Sequence, residues 1–197
     1  MRIAIDLDGV IFNSEMFFMA AAEIYDSMVL SKNSIVKADE PRVQNKYSWT
    51  KDELQGYIDN YANSLDFDIM PCAKTVIDAL RKNNELFVVS ARGQFNQSEI
   101  EIAMKKLQDA EIYFDHYFFG YLDKKDVAKK HGIDIMIDDR YDVCEELSKE
   151  KILCLYFRMA GRKQVKETDY LKEVYNWGEI YRTLKDKGVI GEKNEKN

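Results

Sequence analysis

At 197 residues, with 46% hydrophobic and 32% charged residues, the chain has the size and composition of one globular domain, or of one domain carrying a modest insertion. A formal net charge of −6 argues against a general binder of nucleic-acid polymers, which take most of their affinity from a basic surface. No apolar run approaches the roughly 18 residues that span a bilayer, and the apolar start is too short and too broken by acids for a signal peptide, so a cytoplasmic protein with no membrane partner is expected. Cys72, Cys144 and Cys154 are odd in number and lack CxxC spacing, which predicts free thiols rather than a disulfide or a zinc site.

The chain opens on an apolar strand, Ile3, Ala4 and Ile5, that runs into Asp6, Leu7, Asp8 and Gly9. Alternation along a strand puts Asp6 and Asp8 on one side and Leu7 on the other, and Gly9 allows a sharp turn. Two acids this close at the end of a buried strand need a cation, donors or a shared proton, although Asp and Gly also end ordinary strands. Asn13 or Ser14 then caps a helix to about Val29, with Phe17, Ala20, Ile24 and Met28 at helical spacing. Residues 30 to 48 are polar and contain Pro41, which reads as a long surface connection. Thr50 and Glu53 form a capping box for a helix bearing Leu54, Tyr57, Ile58 and Tyr61, and Pro71 precedes a helix bearing Ala73, Val76, Ile77 and Leu80.

From residue 85 the pattern changes to alternating strands and helices. Leu86 to Val89 is a strand ending in Ser90, Ala91, Arg92 and Gly93, and Ser98 with Glu101 reads as a second capping box for a helix to Gln108. A strand over Tyr117 to Phe119 is followed by a helix from Asp123 to His131. Ile133 to Ile137 ends in Asp138, Asp139 and Arg140 and leads to a helix carrying Val143 and Leu147. Ile152 to Phe157 is the last clear strand, followed by a basic loop with Arg158, Arg162 and Lys163. Residues 173 to 186 read as an edge strand or turn and a final helix, and the tail from Gly188 reads as disordered.

This alternation predicts an α/β fold: a mostly parallel, Rossmann-like sheet with helices on both faces and ligands at the carboxyl ends of the strands. Asp6, Ser90 and Asp138 each follow the apolar run of a different strand, so they can face one crevice. Each has a plainer reading alone: Asp138 and Asp139 as caps of the next helix, Ser90 as a turn residue, and Lys124 or Lys125 as a solvated helix lysine. His116 and His131 fit no ligand spacing. Phe17, Phe18, Tyr57 and Tyr61 could stack a base, though aromatics at helical spacing usually fill a core.

Taken together, IDLDGV, VVSAR, a lysine before an amphipathic helix, and IDIMIDD resemble, in order, the four motifs of the haloacid dehalogenase superfamily of phosphatases. The resemblance covers about residues 1 to 157. It implies an Mg²⁺-dependent phosphomonoesterase in which Asp6 is the nucleophile and Asp8 the general acid and base, with burial and neighbours expected to favour the protonated form of Asp8. Ser90, Ala91, Arg92 and Lys124 would bind substrate phosphate, with Lys124 favoured over Lys125 by spacing in related sequences. Asp6, the Asp8 carbonyl and Asp138 would hold the metal, and Asp139 would be a further ligand or would orient Lys124. It also implies a small helical cap inserted after the first strand: residues 1–13 and 70–187 as the core, 14–69 as the cap, and 188–197 as the tail.

The DGV and SAR variants, the cap size and the pair Asn176 and Trp177 look most like bacterial nucleotidases related to 5′(3′)-deoxyribonucleotidase. The expected substrate is therefore a nucleoside monophosphate, with Arg92, Arg158, Arg162 and Lys163 as candidate contacts to phosphate or sugar, although a solvated basic loop is the plainer account of the last three. A sugar phosphate or other small metabolite is the alternative, and a non-catalytic phosphate or nucleotide sensor is a second one. The order of the acids is not that of a receiver domain, whose paired acids come first, and there is no GxxxxGK loop.

Overall fold

The computed structural model describes residues 1–37, 43–62, 67–94, 97–159 and 162–191. Pro41, the side chain of Tyr61 and residues 192–197 of the expected tail lie outside them. Six parallel strands form one sheet: β1 (Arg2–Ile5), β2 (Glu85–Val89), β3 (His116–Phe118), β4 (Ile135–Asp138), β5 (Leu153–Phe157) and β6 (Leu171–Val174). Their order is β3-β2-β1-β4-β5-β6, so the chain builds outward from β1 to β3, then returns to the other side of β1. Such a reversal opens a crevice beyond the carboxyl ends of the central strands.

The inner strands are short and apolar because both of their faces are covered. On one face Ile3, Ile5, Leu86, Val88, Ile135 and Ile137 pack with α4 (Ala73–Arg81), α5 (Ser98–Asp109) and α8 (Trp177–Asp186). On the other, Ala4, Phe87, Val89, Met136 and Cys154 meet α6 (Lys125–His131) and α7 (Tyr141–Lys149). The three cysteines are free, and Cys144 and Cys154 are buried. Trp177 locks α8 beneath the first loop, its indole Nε1 donating to the Val10 carbonyl at 2.8 Å. No described helix is long and apolar enough to cross a membrane.

Between β1 and α4 the described residues form no strand. The helix α1 (Ser14–Ile24) widens into a π turn over Tyr25–Val29, earlier than the regular helix to Val29 that the spacing predicts. A short α2 (Val43–Lys46) follows, then α3 (Lys51–Tyr57), which widens over Ile58–Ala62. The Thr50 and Glu53 capping box is formed as expected. The predicted surface connection is not wholly superficial, because Tyr47 is buried with Ala21, Ala22, Tyr25 and Tyr57 in a small core of their own.

Two further expectations are corrected, at Ser98 and in the tail, while Pro71 stands at the entry to α4 as expected. Ser98 is not a cap: Gln97 precedes α5 already in helical conformation (φ −61°, ψ −30°), so the non-helical geometry of a cap residue is missing at Ser98. Pro71 stands two residues before α4, and Cys72 between them takes a left-handed conformation at φ 67°. The start of the expected tail is packed, since Val189 is buried in the main core and its carbonyl accepts from Asn84 Nδ2 at 3.2 Å.

Candidate active site

The sheet register assembles the site. Asp6 N donates to the Ile137 carbonyl at 3.0 Å, continuing the β1–β4 pairing one residue past the strand and setting Asp6 level with Asp138. Ser90 follows directly on β2, the neighbour of β1 on the other side. Past Asp6 the chain turns tightly, with the amides of Val10, Ile11 and Phe12 all donating to the Leu7 carbonyl. Gly9 makes this turn possible. Its φ is +70°, and a Cβ there would lie 2.7 Å from Asp139 Oδ2.

Asp6, Asp138 and Asp139 are buried, and each brings a carboxylate oxygen within 4.8 Å of the others. Lys124, the residue before α6, inserts its ammonium among them at 2.9 Å from Asp6 Oδ2 and 2.6 Å from Asp138 Oδ2. Lys125 points elsewhere, to Glu146 at 2.9 Å and Glu150 at 3.1 Å, so of the two lysines it is Lys124 that reaches the acids. The remaining oxygens are also held: Leu7 N donates to Asp6 Oδ1 and Arg140 N to Asp138 Oδ1, each at 2.8 Å. Arg140 is the N-cap residue of α7, so neither Asp138 nor Asp139 holds the cap position of that helix.

The cluster carries more negative charge than its lysine neutralises. Burial pushes the Asp6 carboxyl up; Lys124 opposes this, and Asp138 and Asp8 add to it, leaving the group at about 7. Burial, with Asp138 and Asp6, raises Asp139 well above the usual carboxylate range. Burial works against the charge on Lys124, but Asp138 and Asp6 outweigh it and hold the ammonium above its ordinary value. Three converging carboxylates form a hard oxygen donor set suited to a divalent cation with several waters.

Asp8 departs from expectation. Its side chain is 36% exposed rather than buried and lies outside the acidic cluster. Arg92 grips it with two bonds, Nε to Oδ2 at 2.7 Å and Nη2 to Oδ1 at 2.5 Å. The guanidinium carbon lies 5.4 Å from the centroid of Phe12 and 5.0 Å from that of Phe67, an apolar clamp on a buried arginine. Ser90 Oγ accepts from Arg92 N at 3.3 Å, so the SAR loop folds back on itself, and Ala91 is half-buried within it.

The basic loop divides. Arg158 braces it, with Nη2 on Tyr175 Oη at 2.7 Å, and the Lys163 ammonium lies over the Tyr141 ring at 4.6 Å. Arg162, in contrast, enters the site: Nε donates to Glu15 Oε1 at 2.6 Å and Nη2 to Asp139 Oδ2 at 3.1 Å. Asp139 therefore faces Arg162, and Lys124 is oriented by Asp6 and Asp138 instead. Sequence reasoning missed Glu15 altogether, because nothing local distinguishes an acid in the first turn of a helix from a dipole partner. His116 lies outside this cluster, with Nε2 2.8 Å from Glu85. Phe17 and Phe18 pack against the main core and Tyr57 lies in the small one, the plainer reading of these aromatics.

The parallel sheet with this order, and helices on both faces, is the haloacid dehalogenase-like fold. Solved structures of that class align along nearly the whole chain. One is a haloacid dehalogenase-like hydrolase from Streptococcus pneumoniae, with TM-score 0.65, 17% identity and coverage of 93% of this chain and 97% of that one. A hydrolase of the same class from Deinococcus radiodurans, solved with bound phosphate and sodium, gives TM-score 0.63 and 12% identity over 96% of each chain. Among curated proteins, a protein named as a nucleotidase from Clostridium acetobutylicum is 26% identical over 188 residues, covering 92% of both chains. No protein-family model matches the chain.

Proposed function

We propose that the protein is a Mg²⁺-dependent phosphomonoesterase acting through an aspartyl-phosphate at Asp6, with nucleoside monophosphates as substrates. The observation that carries this reading is the convergence of Asp6, Asp138, Asp139 and Lys124 at the ends of β1 and β4, beside the SAR loop after β2. The 26% identity to a protein named as a nucleotidase supports the choice of substrate.

In this reading Asp6, Asp138 and the Asp8 carbonyl hold the cation, with Asp139 beside them. When bound, it would neutralise phosphate oxygens and hold the transferring group in line. Lys124 orients Asp6 and favours the ionised carboxylate that attacks phosphorus. An Asp6–phosphorus bond forms as the bond to the leaving oxygen breaks, and that oxygen takes its electron pair and a proton from Asp8. Arg92 aims Asp8, and the leaving oxygen replaces one of its two bonds to the guanidinium. Water then gives a proton to Asp8 and attacks the acyl phosphate, releasing inorganic phosphate and restoring the Asp6 carboxylate. Ser90 and the amides around Ala91 donate to the phosphoryl oxygens.

Residues 14–69 serve as the cap over this site and residues 1–13 and 70–187 as its core. The small aromatic core formed by Tyr25, Tyr47 and Tyr57 gives the insertion its own packing. The test is phosphate release from a panel of nucleoside 5′- and 3′-monophosphates and sugar phosphates with Mg²⁺, beside Asp6→Asn and a chelator control. Release from nucleotides that disappears in both controls is the expected result. Preference for a sugar phosphate would move the substrate class, and Mg²⁺-dependent nucleotide binding without turnover would make the protein a sensor.

A further inference from the structure

Arg162 is a half-buried arginine shared between two acids from distant parts of the chain, its side chain 17% exposed against 13% for Glu15 and 10% for Asp139. Its bond to Glu15 is the shorter, 2.6 Å against 3.1 Å. The Asp139 carboxyl packs beside Gly9, where an added Cβ would lie 2.7 Å from Oδ2. Glu15 has room to take more of the arginine, since its Oε2 is buried with no hydrogen-bond partner. The same Asp139 belongs to the trio that converges as a cation site. One carboxylate oxygen cannot hold a close guanidinium and a divalent cation equally well, because the two positive charges repel each other in a buried site.

We propose that Arg162 is an internal counter-cation of the acidic cluster: it pairs with Asp139 while the cluster holds no metal, and passes wholly to Glu15 when a divalent cation enters. This rests on the metal reading of Asp6, Asp138 and Asp139 given above. Glu15 stands in the first turn of α1, at the root of the 14–69 insertion, so the exchange ties cation loading to the seating of that insertion. Linkage makes the effect reciprocal: whatever holds Arg162 on Asp139 weakens cation binding, and whatever draws it to Glu15 strengthens it.

The experiment is calorimetric titration of Mg²⁺ alone into the wild-type protein and into Arg162→Gln, Glu15→Gln and Lys163→Gln, with thermal melts to establish folding. Arg162→Gln is expected to bind Mg²⁺ more tightly, by on the order of tenfold, the size of one charge-assisted hydrogen bond. Glu15→Gln, which leaves Arg162 with Asp139 alone, binds it several-fold more weakly, and it carries the test if Arg162→Gln fails to fold. Lys163→Gln loses the same charge one residue along and stays at the wild-type value. Equal or weaker binding by folded Arg162→Gln, or an unchanged Glu15→Gln, overturns the exchange. An equal gain in Lys163→Gln also overturns it, as a general field effect. Wild-type protein that takes up no Mg²⁺ overturns the exchange together with the metal reading, whereas Mg²⁺ uptake that ignores Arg162 overturns the exchange alone.

Discussion

Asp6 is held at a cost to the fold. Burial, with Asp138 and Asp8 adding to it, keeps its carboxyl at about 7 against an ordinary 3.8, even with Lys124 at 2.9 Å. The native chain therefore binds more protons at this position than the unfolded chain between those two values. The stability it lends is complete below 3.8 and is lost as pH rises towards 7, and Asp139 acts in the same sense. Urea unfolding of the metal-free protein is expected to show stability falling over that window, with Mg²⁺ removing much of the slope. Asp6→Asn should melt no lower than the wild type without metal, yet lose about four orders of magnitude or more in phosphate release. An active Asp6→Asn would place the nucleophile elsewhere. Asp6, Ser90 and Asp138 were legible in the sequence because each stands at the carboxyl end of a strand, Asp6 and Ser90 just past it and Asp138 as its last residue. The grip of Arg92 on Asp8 was not: it joins residues 84 positions apart and depends on Phe12 and Phe67 meeting around the guanidinium.

Among the elements, the turn after β1 is the least tolerant of change. Gly9→Ala adds a left-handed penalty of about 1–2 kcal/mol and drives a methyl into the Asp139 carboxyl, so it should lower both stability and Mg²⁺ affinity, read by melts and calorimetry. The insertion depends on Asp26. Burial raises this carboxyl, but the Ser34 hydroxyl and amide and the Trp49 indole outweigh it and hold it below its ordinary value. Its contribution is present above the unfolded value of 3.8 and is lost as pH falls through the lower folded one. Trp49→Phe keeps an aromatic ring beside Tyr47 and removes the 2.7 Å bond to Asp26, so a loss of about 1 kcal/mol is expected in urea unfolding. Capping signals were legible where the preceding backbone could adopt cap geometry, as at Thr50. At Ser98 they misled, because helical geometry already extends to Gln97.

Across the whole molecule, the alternation of strand and helix was enough to anticipate a parallel sheet with a crevice at its carboxyl edge. It did not reveal the bond from Arg162 to Glu15, 147 residues away, because a basic loop reads the same whether it is solvated or folded into a site. Nor does local sequence specify a substrate, since the contacts that would choose one come from surfaces brought together only by folding. The most direct test of the central claim is to quench a turning-over reaction in acid and look for the phosphoryl group on the protein by peptide mass spectrometry. A hydroxylamine-labile phosphoryl group is expected on the peptide containing Asp6, absent from Asp6→Asn and from chelator-treated protein. Substrate turnover with no phosphorylated Asp6, under conditions that slow hydrolysis of the acyl phosphate, would contradict it.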